Sequence, residues 1–225
     1  MTHPNRFNSS QITKKRILFV TVGSTLFPAL TNLILSSNIL SFLSQSMTEL
    51  VVQYGQGDPD CSNLTKVHQS LSVRSLDTEG QSERIMKTGL SKKSEGMEKV
   101  GKENGEEEYE YEGMRIKMFR YTNEFSEMIK ESDYVVSHAG SGSILSVLRS
   151  RKPLLVIPNQ TLMDDHQSEL AYELSKHGYL LVTSVDNLLQ GLERLLNLSP
   201  NTLEPFPEQD RTAFKNILDD TAGYT

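Results

Sequence analysis

What most constrains the fold of this chain is a repeated alternation: short apolar runs, several of them β-branched, each followed by a stretch with helical spacing. The runs are RILFVTVG (16–23), ELVVQYGQG (49–57), MRIKMFRY (114–121), YVVSH (134–138), PLLVIP (153–158) and YLLVT (179–183). Unbroken apolar runs of four to six residues suit strands covered on both faces, as parallel strands are, whereas a strand with one wet face alternates. The intervening stretches carry helical patterns. They are TLFPALTNLILSSNILSFLSQS (25–46, one or two helices), TNEFSEMIKESD (122–133, with Thr122 or Asn123 as N-cap), SGSILSVLRSR (141–151), DDHQSELAYELSKHG (164–178) and VDNLLQGLERLLNL (185–198). Strand and helix in alternation predict an α/β fold: a Rossmann-like, doubly wound parallel sheet of about six strands, with ligands expected at the carboxyl ends of the strands.

The chain of 225 residues has room for one domain and some chain outside it. The domain is expected over 16–205, after a disordered tail at 1–15. A last short helix, roughly 208–220, follows SPNTLEPFP within a C-terminal segment 206–225. A net charge of −6 argues against a nucleic-acid partner, which needs a basic face to displace counterions. One cysteine, Cys61, gives neither a disulfide framework nor a cysteine-rich metal site and suits the cytosol. The first fifteen residues do not resemble a secretory signal, and no run approaches the roughly 18 apolar residues of a membrane span.

Residues 58–113 interrupt the alternation. They show no sustained periodicity and include the charged EEEYEYE at 106–112, which reads as a disordered or loosely ordered insertion, either a solvated loop or an interaction segment.

Chemistry concentrates at three strand ends. DYVVSHAGSGSILSVL (133–148) passes from strand to helix through two glycines, and TVGST (21–25) is a second glycine- and hydroxyl-bearing turn. Glycine lets an anion approach the backbone, and free N–H groups at a helix N-terminus stabilise its charge, so two such turns on one sheet edge suggest a diphosphate ligand; tight packing alone also calls for glycine. The spacing lacks the Walker lysine, the third glycine of the dinucleotide fingerprint and the Gly-x-Ser-x-Gly elbow, so an NTPase, a dehydrogenase and a serine nucleophile are not implied. NQTLMDDHQSELA (159–171) brings Asn159, Asp164, Asp165, His166 and Gln167 to the same edge. Amides and carboxylates there suit sugar hydroxyls, while one of the two aspartates serves as a helix cap.

Taken together, VTVGST, VQYGQG, SHAGSGSIL, KPLLVIPN and LMDDHQSELAYEL, in this order, resemble the catalytic subunits of the two-part N-acetylglucosaminyltransferase of the dolichol-linked oligosaccharide pathway. These belong to glycosyltransferase family 28, with the MurG-like donor-binding domain as a more distant relative. The likeness covers nearly all the chain outside the insertion, and LEPFP with the last helix is similar to fungal members.

The resemblance implies the donor-binding half of a GT-B glycosyltransferase split over two polypeptides. The implied reaction moves N-acetylglucosamine from UDP-GlcNAc to GlcNAc-diphosphodolichol with inversion. A membrane-anchored partner would supply the acceptor-binding half at the cytosolic face of the endoplasmic reticulum, and segment 206–225 would help to hold it. No cofactor is obligatory, a divalent metal being at most stimulatory, and no metal ligand is assigned. Gly23, Ser24 and Thr25, with Gly140, Ser141, Gly142 and Ser143, would hold the diphosphate. Tyr121 and Thr122 would border the uracil; Asn159, Asp165 and Gln167 would read the sugar. His138 either touches a phosphate or is a packed, hydrogen-bonded histidine. Ser146 departs from the pattern, since many relatives have there a carboxylate that grips the ribose, and a serine offers one weaker, neutral bond. The catalytic base is not assigned. Two alternatives stay open: a nucleotide-sugar transferase of different specificity, and a non-catalytic binding subunit.

Overall fold

The computed structural model describes residues 15–66, 105–159, 165–199 and 202–208, with side chains at 165–167 excepted. In chain order the elements are β1 (Ile17–Thr21), α1 (Pro28–Ile34), α2 (Ser37–Ser44), β2 (Glu49–Gln53), β3 (Thr65–Lys66), β4 (Glu107–Tyr111), β5 (Met114–Phe119), α3 (Phe125–Glu131), β6 (Tyr134–His138), α4 (Ser141–Arg149), β7 (Leu154–Ile157), α5 (Asp165–Lys176), β8 (Leu181–Val182) and α6 (Leu188–Leu196), the last entered through a 3-10 turn at Val185–Asn187.

One sheet of eight strands runs β3-β4-β5-β2-β1-β6-β7-β8. The pairings from β5 to β8 are all parallel, and β3 and β4 are antiparallel additions at one edge. Numbered among themselves in chain order, the parallel strands lie 3-2-1-4-5-6, the dinucleotide-fold order. The expected doubly wound sheet is therefore present, with the edge pair as an addition.

Each face of the sheet has its own core. On one, Leu18, Val20, Leu50, Val52, Ile116 and Met118 pack with Leu30 and Ile34 of α1, Leu40 and Leu43 of α2, and Leu192 and Leu195 of α6. On the other, Phe19, Val51, Val135 and Val156 pack with Ile129 of α3, Ile144 and Val147 of α4, and Ala171 of α5. Alternate residues of β1 thus belong to opposite cores, and all five are buried, so the strand reads as an unbroken apolar run. Truncating Phe19 or Leu50 to alanine costs about 2–5 kcal/mol by the lost burial and the cavity left behind.

Local signals agree with these boundaries. Pro28 opens α1, where its missing N–H has no helical partner to lose. Gly178, at φ 77°, follows the end of α5 in the left-handed conformation that glycine adopts without strain. At the amino end of β2, burial raises the Glu49 carboxyl, and hydrogen bonds from Lys15 (2.9 Å) and Lys117 (3.2 Å) overcome that and hold it below its ordinary range.

Several expectations need correction. The insertion drawn at 58–113 is ordered at both ends: residues 58–66 are described and lead into β3, and the acidic run forms β4. Its Glu-Tyr alternation is a strand pattern with one covered face. Tyr109 is buried against the α2 side, Glu110 faces out, and charge suits a sheet edge. Glu112 (φ 48°) and Gly113 (φ 81°) form the two-residue hairpin turn to β5. The N-cap position of α3 is Glu124, without a side-chain cap; the Thr122 hydroxyl instead accepts the Glu124 N–H at 3.0 Å. Only Leu181–Val182 of YLLVT forms strand. The tail at 1–14, the middle of the insertion at 67–104 and residues 209–225 of the final segment lie outside the described residues.

Candidate functional site

The parallel order reverses between β1 and β6. From β1 the chain leaves to α1 on one face of the sheet, and from β6 to α4 on the other. Adjacent strands whose connections part to opposite faces leave a crevice at their carboxyl ends, and the two glycine turns read from the sequence flank it.

The turn after β1 is closed upon itself. Thr21, wholly buried, donates its hydroxyl to Gln53 Oε1 (2.7 Å) and accepts the Gly23 N–H (3.0 Å), which ties the ends of β1 and β2 and fixes the start of the turn. Thr25 donates its N–H (3.2 Å) and its hydroxyl (2.7 Å) to the Val22 carbonyl. Gly23 has φ 59°, a conformation few other residues adopt. Behind it lies Gly55, at φ 62°, where an added Cβ would stand 2.5 Å from the Thr25 carbonyl oxygen. Gly55 donates its N–H to the Arg120 carbonyl (3.2 Å), so the loops after β1, β2 and β5 form one bonded block.

The turn after β6 is open. Gly140 occupies the N-cap position of α4 with no side chain to cap it, and its carbonyl accepts the Ile144 N–H at 3.0 Å. Among the described residues nothing caps the N–H groups of Ser141, Gly142 and Ser143, and the Ser141 and Ser143 hydroxyls make no hydrogen bond. A Cβ on Gly142 would meet nothing within 4 Å. Three uncapped amides and two hydroxyls at the start of a nine-residue helix make a cradle for an anion, with the positive end of the helix dipole beneath it. Neither turn contains a lysine or arginine, so backbone and hydroxyl groups carry the electrostatics.

His138 lies between the turns. The residue is 6% exposed, and a Cβ on Gly23 would come within 2.7 Å of Cε1 of its ring. A Cβ on Gly140 would overlap Nε2 and stand 2.8 Å from Cε1. Burial pushes the imidazole below its ordinary pKa of 6.5, against a weaker opposing pull from the Thr21 backbone, so the ring is neutral near pH 7. The histidine is packed, but Nδ1 is buried with no hydrogen-bond partner among the described residues.

The other expected residues surround this centre. Asn159, after β7, is buried and donates from Nδ2 to the Leu26 carbonyl at 3.2 Å, bracing the β1–α1 loop. Ser146, one turn into α4, donates its hydroxyl to the Gly142 carbonyl at 2.8 Å. Tyr121, 40% exposed, and Thr122 follow β5, across β2 from the switch point. Asp165 opens α5 and Gln167 lies in its first turn, with both side chains outside the described residues. Sequence reasoning placed Thr21 in the turn without giving it a role and missed Gln53 and Gly55 as parts of the site; the glycine closing VQYG was the available signal.

A groove of about 540 Å³ lies at the other end of the sheet, bordered by Asp133, Pro153, Tyr179 and Phe206. Those residues precede β6, β7 and β8 or belong to the trailing segment, so the groove is remote from the glycine turns. Among the described residues no group of His, Cys, Asp and Glu could hold a metal ion, and no helix is long and apolar enough to cross a membrane.

Residues 67–221 match the Glycosyltransferase family 28 C-terminal domain. The chain is 41% identical over 210 residues to the UDP-N-acetylglucosamine transferase subunit ALG13 of Cryptococcus neoformans, a match covering 92% of this chain and 96% of that one. It is 29% identical over 217 residues to the protein of the same name from Saccharomyces cerevisiae, covering 93% and 98%. The NMR solution structure of ALG13 superposes with a TM-score of 0.55 at 27% identity, covering 92% of this chain and 96% of that one. The turn at Gly23 precedes the family segment and falls within the long relatives' span.

Proposed function

Because this chain belongs to glycosyltransferase family 28, within the group of ALG13 transferase subunits, we propose that it binds UDP-GlcNAc at the β1/β6 switch point. It acts as the donor-binding half of a split N-acetylglucosaminyltransferase. The observation that carries this reading is the uncapped N-terminus of α4, with Gly142 open in front of it. An anion cradle without a basic side chain fits a diphosphate that must be released after each turnover.

The chemistry follows from that cradle. An acceptor hydroxyl oxygen attacks the anomeric carbon while the bond from that carbon to the diphosphate oxygen breaks, with inversion. The acceptor proton passes to a base and UDP departs with the added negative charge. The N–H groups of Ser141, Gly142 and Ser143 stabilise that charge as it develops, and removing one such preorganised donor from an enzyme typically costs about 100-fold or more in rate. Gly23, Ser24 and Thr25 form the facing wall, and Gly140 lets the diphosphate approach. Tyr121 and Thr122 border the uracil. Asn159, Asp165 and Gln167 read the sugar, and Ser146 faces the ribose. No described side chain is assigned as the base, and no step runs through a metal.

The acceptor in this reading is GlcNAc-diphosphodolichol. A membrane-anchored subunit presents it at the cytosolic face of the endoplasmic reticulum, and residues 206–225 help to hold that subunit. That the relatives are named transferase subunits supports a partner.

The test is transfer of labelled N-acetylglucosamine from UDP-GlcNAc to GlcNAc-diphosphodolichol by the purified chain, by membranes stripped of their peripheral subunit, and by both together. Activity in the combination alone is expected. Activity of the chain by itself would overturn the split-enzyme reading, and no activity in any mixture would overturn the assigned reaction.

A further inference from the structure

We propose that His138 is a positioning residue whose ring, wedged between Gly23 and Gly140, sets the separation of the two glycine turns. The inference rests on the donor-site reading above and assigns the ring no proton transfer.

The geometry is reciprocal. Neither glycine can bear a side chain while the ring is in place, because a Cβ at Gly23 or at Gly140 would enter the space held by Cε1 and Nε2. Gly23 needs glycine for its backbone as well, at φ 59°, whereas Gly140 has an ordinary φ of −69°. At Gly140, then, the ring and not the backbone conformation is what a side chain would meet within the fold. The backbone that carries the ring is also anchored. His138 is the last residue of β6 and pairs with Ile157 of β7, and Ser137 donates its hydroxyl to the His138 carbonyl at 2.9 Å. An element fixed to the sheet thus bears on both turns at once. A ring carried by the sheet and pressed on by two loops acts as a spacer: it converts the rigid separation of β1 and β6 into a fixed distance between the wall after β1 and the amide cradle at the start of α4.

A double-mutant cycle tests this with UDP as the probe, reading dissociation constant and melting temperature for the natural chain, Gly140→Ala, His138→Ala and the pair. Gly140→Ala is expected to weaken UDP binding about tenfold, a loss of about 1.4 kcal/mol, and to lower the melting temperature. His138→Ala weakens UDP binding as well, because the turns lose their spacer. The pair is expected to be no worse than His138→Ala alone, since the ring that a new methyl group strikes has gone. Losses that multiply in the pair would overturn the proposal, as would a harmless Gly140→Ala. If Gly140→Ala does not fold, folding of the pair is itself the predicted suppression, and failure of the pair to fold counts against the wedge. Should the natural chain not bind UDP, the donor reading fails, and the melting temperatures still decide the wedge. With the assembled enzyme, His138→Ala should raise KM for UDP-GlcNAc more than it lowers kcat; a fall confined to kcat would point to proton chemistry and against a spacer.

Discussion

The turn after β1 and the turn after β6 share a composition, glycine with serine or threonine, and differ in what their polar groups do. In the first, the Gly23 N–H is bonded to Thr21, both donors of Thr25 go to the Val22 carbonyl, and Gly55 closes it from behind. In the second, the amides of 141–143 are uncapped among the described residues and Gly142 faces open space. One turn is a wall and the other a set of donors. The same residue types thus serve rigidity in one place and ligand charge in another, and the partners of each N–H group, which no sequence motif states, decide which.

The largest effect is expected at the open turn. Gly142→Leu should weaken UDP binding by about 100-fold while leaving the melting temperature unchanged, because a Cβ there meets no atom of the described residues within 4 Å and the side chain takes the space assigned to the ligand. Titration calorimetry with a thermal melt reads both, and unchanged affinity would remove the anion cradle from α4. At the closed turn the pattern should reverse. Gly55→Ala places a Cβ 2.5 Å from the Thr25 carbonyl oxygen in a positive-φ conformation, and about 2–3 kcal/mol of stability should be lost. Donor affinity in the folded fraction should move much less; a large drop in affinity at constant stability would show that the first turn binds as well.

The ring between the turns gives a signature in pH. His138 has its pKa lowered from 6.5 in the folded chain, so stability is full above that value and is lost as pH falls below it, where the unfolded chain takes up a proton that the folded chain refuses. The slope should appear below about pH 6.5, and His138→Gln should flatten it in urea unfolding curves. A slope that survives the substitution would assign it to another group. Next, Thr25→Val should cost about 1 kcal/mol of stability with little change in UDP affinity, since the hydroxyl it removes is bonded within the turn. A tenfold loss of affinity would instead make Thr25 a ligand contact. The smallest change is expected from Ser146→Asp. A carboxylate one turn into α4 should tighten UDP about threefold through a charged hydrogen bond to the ribose, and UMP lacking the ribose hydroxyls should show no such gain.

The sheet was legible because both faces of its central strands are dry, so β1, β2, β6 and β7 carry no polar alternation to confuse them with helices. The glycine turns were legible because they stand where strand gives way to helix. The acidic β4 was not, since its five residues are mostly charged and the alternation of buried Tyr109 with Glu110 is too short to outweigh composition. The contacts that distinguish the turns were not legible either. Gly55 meets the Thr25 carbonyl only when β2 lies beside β1, and His138 meets Gly23 only when β6 lies on the other side of it.

The trailing segment has a consequence for how anything attached to it must be built. Tyr179 and Phe206 meet edge to face at 5.3 Å, Glu204 donates its N–H to the Gly178 carbonyl at 3.0 Å, and Glu208 pairs with Arg151 at 3.0 Å, all near the amino ends of the strands. A five-residue strand is about 17 Å long, so Glu208 stands roughly that far from the glycine turns. A fluorophore attached at Glu208 therefore reports from the side of the sheet away from the switch point, a strand's length from whatever enters there.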